Sequence, residues 1–214
     1  MDDPIAETST KGWKPRDILL ISIAALGSLA LGLFLASGLG SRDSQDLAGQ
    51  GYPGMGGDFN LTSSTGPVSL RDMRGKVVVL YFGYSSCPDI CPTSLAVITA
   101  ALQQLDAEER KQIQPVFIGV DPQRDTPEVL AEYTHAFYPG MIGLTGTKEQ
   151  IDAVTGQYKV HYEIVPLQDS AAGYGVNHSS ITFVIGRDGA VRDILGHGAP
   201  LESLVLKLKS ALKA

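Results

Sequence analysis

Cys87 and Cys91, the only two cysteines of this 214-residue chain, stand four positions apart in Phe82-Gly83-Tyr84-Ser85-Ser86-Cys87-Pro88-Asp89-Ile90-Cys91-Pro92. Two thiols with no others to pair them allow three chemistries: one disulfide, one redox-active dithiol, or part of a soft-metal site. A bridge across so short a loop gains little stability from chain entropy. An exported setting favours a disulfide, whereas the position of the pair favours reactive sulfur. Upstream, Val77-Val78-Val79-Leu80-Tyr81-Phe82 is an unbroken apolar run that reads as a strand buried on both faces. Downstream, Leu95, Ile98, Leu102 and Leu105 recur at helical spacing, and Pro92 suits a first helical turn. The pair therefore lies where a strand becomes a helix. Free N–H groups and the positive dipole end there favour thiolate over thiol.

The elements that must position the pair follow in order. Phe59-Asn60-Leu61-Thr62 and Gly66 to Leu70 read as a short hairpin, and Pro115 to Asp121 as a second buried strand. The loop Asp121-Pro122-Gln123-Arg124-Asp125-Thr126-Pro127-Glu128 ends in a helix start. Asp125 or Thr126 is its N-cap and Glu128 is placed for a capping box, with a helix running on to about Tyr138. Met141 to Leu144 reads as a strand, Lys148 to Tyr158 as a helix, and Lys159 to Val165 as an exposed, alternating strand. Residues 169–176 read as a glycine-containing loop that delivers Asn177-His178-Ser179-Ser180 to the strand Ile181 to Ile185. A turn at Asp188-Gly189 makes that strand a hairpin with Val191 to Leu195, and a last amphipathic helix carries Leu201, Leu204, Val205, Leu208 and Leu212. This order predicts an α/β, thioredoxin-like fold preceded by one N-terminal transmembrane helix.

The membrane assignment rests on residues 18–40, which carry no charge. A helix of that length crosses a hydrocarbon core of roughly 30 Å. Lys11, Lys14 and Arg16 precede it and Trp13 suits the interface, while Arg42 follows beside Asp43 and Asp46. The positive-inside rule then puts residues 1–17 in the cytoplasm and the rest of the chain outside. The run exceeds a typical signal-peptide core of about 7–15 residues, although Ala36-Ser37-Gly38 offers a small-residue cleavage site; either way the domain is exported. Residues 41–57, rich in Gly, Ser and Asp, read as a flexible linker, and the domain proper as 58–214. A net charge of −6 with no dense Lys/Arg cluster in the soluble part speaks against nucleic-acid binding.

Dithiol enzymes of the thioredoxin type use a two-residue spacer and a cis-proline before the hairpin. This chain has a three-residue spacer, and Asn177-His178-Ser179-Ser180 where the proline would stand. Two thiolates and one imidazole are a ligand set suited to copper. Structural zinc asks for four ligands, and no third cysteine exists.

Tyr81 to Pro92, the loop Asp121 to Pro127 and Asn177-His178-Ser179, taken together and in this order, resemble the SCO/SenC family of membrane-tethered copper proteins, over roughly Asp58 to the C-terminus. The resemblance implies a metallochaperone rather than an enzyme, which holds Cu(I) or Cu(II) on Cys87, Cys91 and His178. It implies delivery to the dinuclear centre in the copper-bearing subunit of cytochrome c oxidase, with another copper chaperone as a possible donor. It places the chain as a single-pass protein of the bacterial inner membrane with its domain in the periplasm. Asp121 and its loop would shape the edge of the site, and Asn177 would stand beside the ligand, where family members commonly carry Asp. Two other functions use the same residues: a thiol-disulfide reductase acting on the oxidase's copper-ligand cysteines, and a copper or redox sensor. His135, His161 and His197 read as solvated, and Met55, among glycines, as incidental.

Overall fold

The computed structural model describes residues 51–167 and 173–214. Residues 18–40 and most of the predicted linker lie outside them; among the described residues no helix is long and apolar enough to cross a membrane.

The domain is built on a five-stranded sheet. Its centre is β3 (Val77–Gly83), every residue of which is buried. Parallel pairing joins it to β4 (Ile113–Gly119), and β4 to β5 (Ile142–Leu144). On its other edge β3 pairs antiparallel with β8 (Ile181–Ile185), and β8 with β9 (Val191–Gly196). β-Branched residues pack well on a pleated surface covered on both faces, and Val77, Val78 and Val79 occupy such positions.

Helices α1 (Ile90–Gln103), α2 (Ala107–Lys111), α3 (Pro127–Phe137), α4 (Lys148–Gln157) and α5 (Leu201–Lys213) surround the sheet. Helix α1 buries Leu95, Ile98 and Leu102, as their spacing predicts. Helix α5 buries Leu204, Leu208 and Ala211 against α1 and strands β3, β8 and β9. The first hairpin, β1 (Asn60–Ser63) with β2 (Gly66–Ser69), is bridged to Thr145 at the end of β5.

Several details differ from the sequence reading: helix α2 is additional, β4 begins at Ile113, and the strand that follows α4 begins at Tyr162. Thr126, one of the two candidate caps, does cap α3, its side chain accepting from the Val129 N–H, but Glu128 makes no capping box because Val129, not Glu128, takes the third helical position. The segment read as a loop ends in a strand, β7 (Tyr174–His178), paired antiparallel with β6 (Tyr162–Pro166) in a ribbon separate from the main sheet. Residues 51–57, read as linker, lie against the domain: the Tyr52 N–H donates to the Val191 carbonyl, the Gly56 N–H to Gln157 and the Tyr158 hydroxyl to Gly57.

Candidate metal centre

The strand-to-helix junction places the thiols at different depths. Cys91, in the first turn of α1, is fully buried, whereas Cys87, in the loop after β3, is half-buried. Gly83, the last residue of β3, makes room for the deeper sulfur: a Cβ there would lie 2.7 Å from Cys91 Sγ and 2.9 Å from the Phe117 ring. The Cys91 N–H donates to Cys87 Sγ at 3.4 Å. Both cysteines are free thiols.

His178 enters from the ribbon. At the end of β7 its Nε2 stands 3.3 Å from Cys91 Sγ, and the ligating atoms of Cys87, Cys91 and His178 all lie within 4.8 Å of one another. Nδ1 is 3.2 Å from the Ser179 carbonyl, which can only accept, so Nδ1 carries the proton. The Nε2 lone pair therefore faces the sulfurs, the tautomer a metal needs. The rings of Tyr81 and Tyr84 meet the imidazole edge-on at 6.2 and 5.9 Å. A cleft of about 310 Å³, lined by Tyr84, Cys87, Asn177 and His178 among others, opens the site to solvent.

The protonation preferences of the three groups differ. Burial pushes the Cys91 thiol well above its ordinary range, and the adjacent Cys87 sulfur adds to the shift. Burial also acts to raise Cys87, but N–H donation from Cys91 and Asp89 outweighs it and holds that thiol below its usual value. Burial depresses His178, keeping its imidazole neutral against the opposing Ser179 carbonyl. Without metal, the Cys91 thiol donates to His178 Nε2. A soft metal held by these three residues would take the place of that proton, which would leave to solvent. Donors at bond lengths of about 2.0–2.3 Å from one ion are at most ~4.6 Å apart, so separations within 4.8 Å need only a small contraction.

Among the described residues these are the three that cluster as metal ligands. Asp121, fully buried, pairs with Arg124 and accepts from the Tyr174 hydroxyl at 2.9 Å. Asn177 is exposed and stands opposite Glu163 across the ribbon. The group that orients the His178 ring is the Ser179 carbonyl, a backbone atom no residue-type motif can display. His135 and His161 are exposed; His197 is exposed too, yet it bonds Ser94 Oγ through Nδ1 at 3.2 Å. Met55 packs against the core.

A parallel β3–β4–β5 core, an antiparallel closing hairpin and a Cys-Cys-His group beyond the end of the central strand define a thioredoxin-like domain with a donor set that could hold a soft metal. A sequence profile of the SCO1/SenC family matches residues 48–213, and the chain belongs to that family. The mitochondrial protein SCO2 of Saccharomyces cerevisiae is 41% identical over 169 residues, 77% of this chain and 55% of that protein. Arabidopsis thaliana ScoI with copper bound superposes with a TM-score of 0.68 at 34% identity, covering 75% of this chain and 99% of that one. Yeast Sco1 with copper bound also gives 0.68 at 34% identity, over 76% and 90%. The chain spans about half to two thirds of the length of the curated relatives it matches.

Proposed function

We propose that this chain is a copper metallochaperone whose cargo sits on Cys87, Cys91 and His178, for delivery to the dinuclear copper centre of cytochrome c oxidase during assembly. One observation carries the reading: two thiols from early in the fold and one imidazole from late in it converge within 4.8 Å. Soft sulfur with one imidazole matches copper better than harder ions, and the copper-bound relatives at 34% identity support the choice. Asp121 and Asn177 border the site without ligating. Residues 18–40 anchor the chain in the bacterial inner membrane, with the domain, 58–214 together with the part of the linker packed on it, in the periplasm. The oxidase subunit is the recipient, and another copper chaperone the donor.

The test is metal content of the full-length chain with its thiols kept reduced. One copper per chain is expected, with a thiolate-to-copper charge-transfer band in the Cu(II) form. Full-affinity binding by His178→Ala removes the imidazole from the site. A reporter fused after residue 57 checks the topology, periplasmic activity being expected.

A second reading, a thiol-disulfide reductase, draws on the asymmetry between a buried thiol and a more accessible one of lowered pKa. It needs both cysteines and not His178. Oxidase activity in strains carrying Cys87→Ser, Cys91→Ser or His178→Ala separates the two, because full rescue by the histidine variant favours reduction.

A further inference from the structure

The loop between β4 and α3 has no part in the ligand set, yet its side chains reach both halves of the site. Asp125 is 1% exposed and turns back forty residues, its Oδ1 accepting from the Ser85 N–H at 3.0 Å and from the Ser85 hydroxyl. Ser85 lies in the loop that carries Cys87. Its neighbour Arg124 faces the other way. Its guanidinium lies 3.8 Å from the centre of the Tyr174 ring and 5.8 Å from that of Tyr84, and Nη1 donates to the Tyr174 carbonyl at 3.2 Å. Tyr174 opens the strand that ends in His178, and its hydroxyl donates to the Asp121 carboxylate that pairs with Arg124. The loop is stiff, with the Asp125 N–H on the Asp121 carbonyl at 2.8 Å and the Thr126 N–H on Arg124 at 3.1 Å.

We infer that this loop is the gauge of the metal site, with Asp125 holding the cysteine loop through Ser85 and Arg124 holding the histidine ribbon through Tyr174, so that one rigid turn sets the imidazole-to-thiol separation. A two-stranded ribbon is marginal on its own, and this one lies outside the five-stranded sheet. Among its ties to the body are Val176 in the core, the Tyr84 side chain on the Val176 backbone, the His178 ring against Tyr81, Tyr84 and Cys91, the Tyr162 hydroxyl on Asp152 and the Tyr174 clamp. Arg124 and Tyr174 are thus positioning residues that act through His178, and Asp125 and Ser85 are positioning residues that act through Cys87. The inference rests on the copper reading for its consequence, not for its geometry.

The test is a double-mutant cycle in the full-length chain. Copper(I) affinity is measured by competition with a chromophoric chelator for Tyr174→Phe, Arg124→Gln and Ser85→Ala, each alone and combined with His178→Ala. Tyr174→Phe leaves the buried Asp121–Arg124 pair intact and serves if Arg124→Gln fails to fold. Each ribbon-side variant is expected to weaken copper by about tenfold or more, and to have no further effect once His178 is absent. Ser85→Ala is expected to keep its full effect in both backgrounds. A metal-free readout runs in parallel: amide hydrogen exchange across Tyr162–Pro166 and Tyr174–His178 rises in the ribbon-side variants while β3 and β4 are unchanged. Equal losses with and without His178, or ribbon exchange that does not move, overturn the inference. A parent chain that binds no copper overturns the metal reading instead, and the exchange result then decides whether the tether exists.

Discussion

The thiol half of the site and the imidazole half are held by different physics. Cys91 sits in the first turn of a fourteen-residue helix whose apolar face is in the core, beyond the end of a fully buried strand hydrogen-bonded along both edges. His178 sits at the end of a five-residue strand whose one fully buried member is Val176, in a ribbon of two. Moving the deeper sulfur means disturbing the global fold. Moving the ring means opening a local unit, which can occur at far lower free energy. The centre thus joins a donor built onto the main sheet to one carried by a separate ribbon.

That contrast can be broken or sharpened experimentally. The largest effect belongs to Cys91→Ser, which removes stoichiometric copper from the full-length chain, read by metal analysis. Phe82→Ala attacks the thiol half through its scaffold and costs about 3–5 kcal/mol in denaturant unfolding, because Phe82 is fully buried against Tyr158 and Phe183. Burial raises the Asp125 carboxyl to about 6, against the Ser85 hydrogen bonds, so its ionised form burdens the folded state above that pH. Compared with Asp125→Asn, the parent should lose up to about 2–3 kcal/mol of stability as pH climbs from 4 to 7. Asp72 and Asp152, whose values are lowered by hydrogen bonds, act in the opposite sense but equally in both proteins. A flat difference across that range refutes the raised value.

His178→Ala marks the other side of the contrast. It should change unfolding stability by no more than about 1 kcal/mol while weakening copper and altering the charge-transfer band; a large stability loss would tie the ring to the global fold. The smallest effect is expected for Tyr162→Phe, which removes the hydroxyl's bond to Asp152. Exchange in β6 should quicken by about threefold, with no change in the main sheet.

The thiol half was the more legible in sequence, for the same physical reason that it is the more rigid. Val77 to Phe82 advertises a doubly covered strand, and Leu95, Ile98 and Leu102 advertise a helix, so the junction between them follows from local pattern. The second strand of the ribbon was hidden. Tyr174-Gly175-Val176-Asn177-His178 has a glycine and one buried side chain, too little to display period-two alternation, and β6 supplies the pairing. The capping box at Glu128 failed because the Asp125 side chain, a plausible cap, is taken by Ser85. Contacts such as Arg124 to Tyr174 join residues fifty apart and leave no periodic trace. The placement of His178 was legible only through its motif, and the carbonyl that orients it was not legible at all.

Gly83 carries one more implication. Alanine at that position would retain both thiols and the imidazole in the polypeptide, yet its methyl group would compete with the Cys91 sulfur for the same few cubic ångströms. The position of the deeper donor is thereby conditional on a hydrogen atom standing where every other standard amino acid has carbon. A version with its full complement of donors but its deeper sulfur displaced is one methyl away.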